Sequence, residues 1–116
     1  MSPSVLIVHR NAQIRRILSE EFARRGYRVG TARDGRQACD QLSFLLPDVI
    51  VADAATAEVD GPDPVRRLRG HDQGVPIVLT GARGRVRLPG VQIVPDLLDL
   101  GSVVGAVNLG LASRLV

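Results

Sequence analysis

The stretch Pro47-Asp48-Val49-Ile50-Val51-Ala52-Asp53 determines how the rest of the chain is interpreted. Its centre is β-branched and contains no polar residue, a pattern typical of a strand buried on both faces of a parallel sheet. Asp53 follows this strand at its carboxyl end, and in open α/β sheets ligands bind at that edge. Two interpretations of Asp53 stay open: a functional carboxylate, or an ordinary cap of the following loop.

Length and composition indicate one domain, which we assign to residues 1–116. Apolar residues make up 45% of the chain and aromatic residues 3%, so the expected core is aliphatic. The single cysteine, Cys39, excludes an internal disulfide and argues against a metal cluster. The sequence shows no secretory signal and no apolar run that could cross a bilayer, so we expect a cytoplasmic protein without membrane contact.

Every positively charged side chain is an arginine, and the sequence contains no lysine. Any mechanism that needs a lysine is therefore excluded. The formal net charge is a modest +3, and the arginines are scattered without interleaved aromatic residues that could stack on bases. Nucleic-acid binding by this domain alone is not expected.

Apolar runs alternate with helix signals along the chain. We predict strands at residues 5–8, 27–31, 49–52, 75–80 and 91–95, and helices at 12–25, 34–45, 63–70 and 98–115. Residues 81–90 contain three glycines, three arginines and a proline, so the helix expected between the last two strands is short or missing. This alternation predicts an α/β fold with a five-stranded, doubly wound parallel sheet.

Several stretches, in this order and spacing, resemble the receiver domains of bacterial two-component response regulators. They are Val5-Leu6-Ile7-Val8, Ile14-Arg15-Arg16-Ile17-Leu18, Gly26-Tyr27-Arg28-Val29, Ala32-Arg33-Asp34-Gly35, the opening stretch 47–53, Asp60-Gly61 and Pro76-Ile77-Val78-Leu79-Thr80. The resemblance covers essentially the whole chain. It implies the flavodoxin-like receiver fold and a signalling module of a phosphorelay pathway, not an enzyme.

The resemblance also implies roles for single positions. Asp53 occupies the phospho-acceptor position, and Thr80 the position of the hydroxyl that contacts the phosphoryl group. His9 and Arg10 stand where the family has the acidic pair that holds Mg²⁺, and Asp96 stands where it has a lysine. The sequence thus keeps the phospho-acceptor of the family. It differs at the positions that hold Mg²⁺ and at the position of the lysine.

These changes affect the chemistry, because phosphoryl transfer to a carboxylate needs cations that Mg²⁺ and a lysine normally supply. An imidazole and a guanidinium make a poor magnesium site, so we expect no cofactor, weak or lost Mg²⁺ binding, and inefficient phosphorylation of Asp53. Arg10 could instead pair with Asp53, and also with Asp96, in a metal-free ionic contact. The alternatives are a solvent-facing Arg10, a hydrogen-bonded structural His9, and a Thr80 that only ends a strand.

The last helix carries the second functional indication, because apolar residues cover more than one of its faces and three glycines permit close approach of another backbone. We expect the fifth strand and this helix to contact a protein partner or a second copy. The alternative is a frayed apolar terminus. The candidate interface residues are Ile93, Leu98, Val104, Leu109 and Leu111. The resemblance implies that Ile93 stands where the family has the aromatic switch residue of its fifth strand.

Two functional hypotheses follow from these residues. The first is a receiver-like module that signals by phosphorylation-independent contact with a histidine kinase, an output domain or another regulator. The second is a noncanonical receiver that a histidine kinase phosphorylates on Asp53, with the help of Thr80. An arginine would then replace the lysine or the metal, and the candidates are Arg83, Arg85 and Arg87. A phosphate-binding enzyme is a weak third, because no glycine-rich loop follows the first strand and no nucleophile and base are paired. The sequence does not tell a stand-alone protein from part of a longer regulator.

Overall fold

A computed structural model of the chain describes residues 2–58, 68–69, 74–81, 90–96 and 99–114. All strands run parallel in one five-stranded sheet of order β2-β1-β3-β4-β5. The direction of winding reverses between β1 and β3, which confirms the predicted doubly wound fold. The elements are β1 (Ser4–Val8), α1 (Ala12–Arg24), β2 (Arg28–Ala32), α2 (Gly35–Leu45), β3 (Val49–Asp53), α3 (Ala54–Glu58), β4 (Ile77–Thr80), β5 (Val91–Val94) and α4 (Leu100–Arg114).

The three central strands, β1, β3 and β4, are buried on both faces of the sheet, as their unbroken apolar sequences predict. Successive side chains of each strand point to opposite faces, and each face supplies one apolar cluster. The first cluster includes α2; its buried members are Leu6, Val8, Ala32, Ala38, Leu42, Ile50, Ala52, Leu68, Val75, Ile77 and Leu79. The second includes α1 and α4; its buried members are Val5, Ile7, Leu18, Phe22, Val49, Val51, Val78, Val94, Val103, Val104 and Val107.

The strand register brings the ends of the central strands together. Val8 pairs with Ala52 across β1 and β3, and Asp53 pairs with Thr80 across β3 and β4. His9 directly follows β1. The carboxyl edge of the sheet therefore collects the side chains that the sequence indicates as functional.

Local signals set the starts of the first two helices and the end of α1. The side chain of Asn11 accepts hydrogen bonds from Gln13 N and Ile14 N and caps α1. Asp34 caps α2 by accepting from Gln37 N. Gly26 follows α1 with a φ of 90°, a left-handed conformation that glycine adopts without strain.

The structure differs from the sequence prediction in several places. A short helix, α3, follows Asp53 directly, where no helix was predicted. The second strand lies one residue later than predicted, and α4 begins at Leu100 because Asp99 accepts from Ser102 N and caps it. The described residues do not include most of the predicted helix 63–70. They also leave out the segment 82–89, where we expected a helix to be short or missing. Across the described part of the chain, none of the helices is both long and apolar enough to span a membrane.

Candidate functional site

Asp53 ends β3 with its side chain turned back onto α3. One carboxylate oxygen, Oδ2, accepts a hydrogen bond of 2.9 Å from the Thr56 hydroxyl and one of 3.1 Å from the Thr56 backbone N–H. The second bond gives Asp53 the role of a helix cap, which satisfies a backbone donor in the first turn of α3. Asp53 Oδ2 therefore acts as a helix cap, which is one of the two interpretations left open by the sequence.

The other oxygen of Asp53 faces His9. The imidazole is buried, with 8% of the residue exposed, and its Nδ1 accepts a hydrogen bond of 2.9 Å from Asn11 N. Because Nδ1 is an acceptor, the neutral ring carries its proton on Nε2. His9 Nε2 lies 3.8 Å from Asp53 Oδ1. This distance is too long for a hydrogen bond, so the contact is electrostatic.

The environment of His9 favours its neutral form. Burial lowers the pKa of His9 below its usual value, the nearby Asp53 carboxylate opposes this effect, and the Arg15 guanidinium adds to the lowering. Arg15 stays close because its Nη1 donates to the His9 carbonyl oxygen at 2.7 Å. At neutral pH, therefore, an uncharged imidazole faces the Asp53 carboxylate.

This lowered pKa predicts that folding stability declines on mild acidification. Above about pH 6.5 the imidazole is neutral in both the folded and the unfolded chain. As pH falls below that value the unfolded chain takes up the proton first, so stability is lost until the folded pKa is passed. Urea unfolding at pH 7.5 to 5.5 measures this loss. The His9→Asn variant, whose amide oxygen can replace Nδ1 as the acceptor, should show a smaller loss; an equal loss would assign the effect to other groups.

Arg10 does not form the expected ion pair with Asp53. Its side chain is exposed, and the ion pairs found among the described residues include none between Arg10 and a carboxylate. A guanidinium keeps its hydration at the surface, whereas placement beside a half-buried carboxylate costs desolvation. The backbone of Arg10 belongs to the site all the same, because its N–H donates to the Thr56 hydroxyl oxygen at 3.1 Å.

The remaining positions at this edge are Thr80, Gly81 and Asp96. Thr80 is fully buried, and its hydroxyl donates to the Ala52 carbonyl oxygen at 3.5 Å. Gly81 has a φ of 72°, and a Cβ atom there would lie 3.1 Å from Asp53 Oδ1, so glycine preserves space beside that oxygen. Asp96 is exposed, and its backbone carbonyl accepts from Asp99 N ahead of α4.

The donor set at this edge does not fit a magnesium ion. Mg²⁺ demands octahedral oxygen coordination, usually from more than one carboxylate or from phosphate oxygens and water. Here Asp53 is joined by an imidazole, and its Oδ2 already accepts two hydrogen bonds. Nowhere in the described ranges do three His, Cys, Asp or Glu side chains gather as possible metal ligands.

The predicted interface residues fall into different environments. Leu109 on α4 is 60% exposed, and Ile93 on β5 is half-buried. Val104 is 8% exposed and belongs to the core, so its proposed place at an interface is wrong: it lies on the helix face that packs on the sheet. Leu111 is half-buried and also packs against this core. Leu98 lies outside the described residues.

Sequence reasoning missed Thr56. Its hydroxyl contacts both Asp53 and the backbone of Arg10, and only 2% of the residue is exposed. A signal was present: Thr56 stands three residues after Asp53, the spacing at which a capping side chain meets the backbone of the first helical turn. The signal was weak because the intervening residues are alanines, which indicate no particular boundary.

Comparison with known proteins identifies the family of the chain. The family model for the response regulator receiver domain matches residues 5–92. The regulatory protein AtoC of Escherichia coli is 33% identical over 82 residues, which cover 71% of this chain and 18% of AtoC. The response regulator MprA of Mycobacterium tuberculosis is 34% identical over 86 residues, which cover 74% of this chain and 37% of MprA. The chain thus spans well under half the length of these relatives.

Solved structures show the same fold. The signal receiver domain of an HD domain-containing protein from Pseudomonas fluorescens superposes with a TM-score of 0.80, covers 98% of each chain and is 20% identical. The strand order and the placement of Asp53 at the end of β3 agree with the resemblance noted in the sequence. The chain belongs to the response regulator receiver domain family.

Proposed function

We propose that this receiver domain of a two-component response regulator signals through protein contacts, without phosphorylation of Asp53. The observation that carries the proposal is the state of the Asp53 carboxylate. Its Oδ1 faces the His9 imidazole at 3.8 Å, and its Oδ2 accepts two hydrogen bonds from Thr56. Thr56 therefore engages Oδ2, and Oδ1 faces a neutral imidazole instead of a cation.

The charges near Asp53 also support the proposal. A phosphoryl group and a carboxylate are both anionic, so their reaction needs cations at the site. The sequence contains no lysine, and Asp96 stands where the family has one. His9 is a neutral acceptor at Nδ1, and the Arg15 guanidinium donates to the backbone carbonyl oxygens of His9 and Arg10. None of these groups is placed as a cation for an incoming phosphoryl group.

We further propose that Mg²⁺ binding is lost or weak and that the domain uses no cofactor. A metal ion at Asp53 would need oxygen ligands where His9 and the exposed Arg10 stand. The permanent charge of an arginine repels a divalent cation, and an imidazole is a poor ligand for Mg²⁺.

The contacts around Asp53 would then fix one conformation of the carboxyl edge. They join the end of β1, the start of α1 and the first turn of α3. A hydrogen bond between neutral groups contributes about 0.5–1.5 kcal/mol to stability and one to a carboxylate about 1.5–3 kcal/mol, so the set can hold this edge in place without an ion. A partner would recognise this constant surface instead of a phosphorylated one.

The partner we propose is a protein: a histidine kinase, an output domain or another regulator, with a second copy of the chain as a further option. The exposed side of α4 is available for such a contact, with Leu109 projecting from it. The helix carries no charged side chain from Leu100 to Ser113, so two copies would not repel each other there.

The test is an NMR titration of the domain with Mg²⁺ and then with beryllofluoride, a phosphoryl mimic. The readout is the set of amide chemical shifts around Asp53 and Thr80. We expect no saturable response up to tens of millimolar Mg²⁺, because an imidazole and a guanidinium stand at positions 9 and 10, where a magnesium site needs oxygen ligands. The Asp53→Asn variant under the same conditions sets the baseline for nonspecific ion effects. Saturable shifts in the wild type that reach β5 and are absent from the variant would restore Asp53 as a phospho-acceptor.

A further inference from the structure

We infer that Thr56 is a positioning residue that closes one oxygen of the Asp53 carboxylate, Oδ2, to external cations and couples this oxygen to the start of α1. The inference deepens the proposed function and rests on it. It adds that restoring the acidic residues at positions 9 and 10 is not enough to recover a full cation site, because Thr56 already occupies Asp53 Oδ2.

The geometry of the Thr56 hydroxyl fixes the direction of its hydrogen bonds. A threonine hydroxyl has one proton to donate and two lone pairs that accept. The Arg10 backbone N–H, 3.1 Å away, can only donate, so it uses a lone pair of Thr56 Oγ1. The single proton is left for Asp53 Oδ2 at 2.9 Å, which is an acceptor. The chain Arg10 N–H to Thr56 hydroxyl to Asp53 carboxylate therefore runs in one direction.

The burial of Thr56 makes these bonds costly to replace. The residue is 2% exposed, so water has little access to its hydroxyl. A cation that binds Asp53 Oδ2 would have to displace the hydroxyl proton, and the rearranged hydroxyl could then disturb its bond to Arg10 N. The hydroxyl thus competes with a cation for one oxygen and links the state of that oxygen to the loop that leads into α1.

The test compares Mg²⁺ affinity in a variant that restores the acidic pair, His9→Asp with Arg10→Asp. In this background Thr56→Val removes the hydroxyl and keeps the side-chain shape, while Thr56→Ser keeps the hydroxyl as the matched control. Loss of one charge-assisted hydrogen bond corresponds to about a tenfold change. We expect the Val variant to bind Mg²⁺ about tenfold more tightly than the restored background, and the Ser variant to stay within about twofold of it.

Equal Mg²⁺ affinity of the Val variant and its background, including no binding by either, would overturn the inference. A second measurement needs no restored pair: in the wild type the Arg10 amide should be protected from hydrogen exchange, and this protection should fall in Thr56→Val and persist in Thr56→Ser. Unchanged protection in the Val variant would also overturn it. Mg²⁺ binding by the wild type, in contrast, would count against the proposed function. The role of Thr56 would then still be decided by comparing the Thr56→Val and Thr56→Ser variants.

Discussion

Replacing Phe22 by alanine is expected to lower the free energy of unfolding by about 3–5 kcal/mol, because a buried phenyl ring is lost and a cavity remains. Phe22 is fully buried in the cluster between the sheet, α1 and α4. Its ring meets the ring of Tyr27 edge-on, with centroids 5.1 Å apart and planes at 83°. Domains of this size are stable by about 5–15 kcal/mol, so the variant should be close to unfolding. Urea denaturation followed by circular dichroism measures the change.

The matched control for this substitution is Phe44→Ala. Phe44 lies near the end of α2 and is 84% exposed, so its truncation opens no cavity. The free energy of unfolding should change by no more than about 0.5 kcal/mol. Similar losses in the two variants would mean that the core does not centre on Phe22 or that the exposed ring is covered in solution.

The sequence was enough to predict the sheet, because the information about β1, β3 and β4 is local. Each is a short, unbroken apolar run, and alternation with helices requires a parallel sheet. The helix α3 was missed because its sequence, Ala-Ala-Thr-Ala-Glu, has no apolar face and is too short for a periodic signal. A side chain that precedes the helix, that of Asp53, stabilises its first turn.

The positions of the candidate site were predictable, but their contacts were not. Asp53 and Thr80 end neighbouring strands, and the observed register places them side by side. Whether His9 or Arg10 faces Asp53 depends on the direction of each side chain and on the cost of desolvation, which a linear sequence does not give. In the structure the His9 imidazole is buried beside Asp53 and the Arg10 side chain is exposed. The ion pair considered from the sequence would have required the opposite arrangement.

The core of the fold does not depend on the residues of the candidate site. The two apolar clusters lie on the two faces of the sheet, whereas His9, Asp53 and Thr56 lie at its carboxyl edge and belong to neither cluster. Hydrophobic burial is the dominant favourable term in folding. We therefore expect a change of charge at the edge to leave the architecture intact, and this chain has the fold of solved receiver domains.

The glycines of α4, expected from the sequence to allow close approach of another backbone, lead to the second large effect. A Cβ atom on Gly110 would lie 2.9 Å from the Pro76 ring, so this glycine permits α4 to pack closely against the chain just before β4. Gly110→Val should lower the free energy of unfolding by about 1–3 kcal/mol through overpacking, since a proline ring yields little. Urea denaturation gives the magnitude, and amide shifts of Ile77 and Gln92 locate the disturbance.

The control is the same substitution one and a half turns earlier in the helix. Gly105 is exposed, and a Cβ atom there would meet nothing within 4 Å. Valine has the higher helix propensity, so Gly105→Val should be neutral or stabilising by up to about 0.5 kcal/mol. A comparable loss in both variants would show that valine is poorly tolerated throughout α4, and close packing at Pro76 would then not explain why position 110 is a glycine. A loss at Gly110 alone would assign that glycine to the packing of α4 within this chain, and Gly105 would stay available for a contact with a partner.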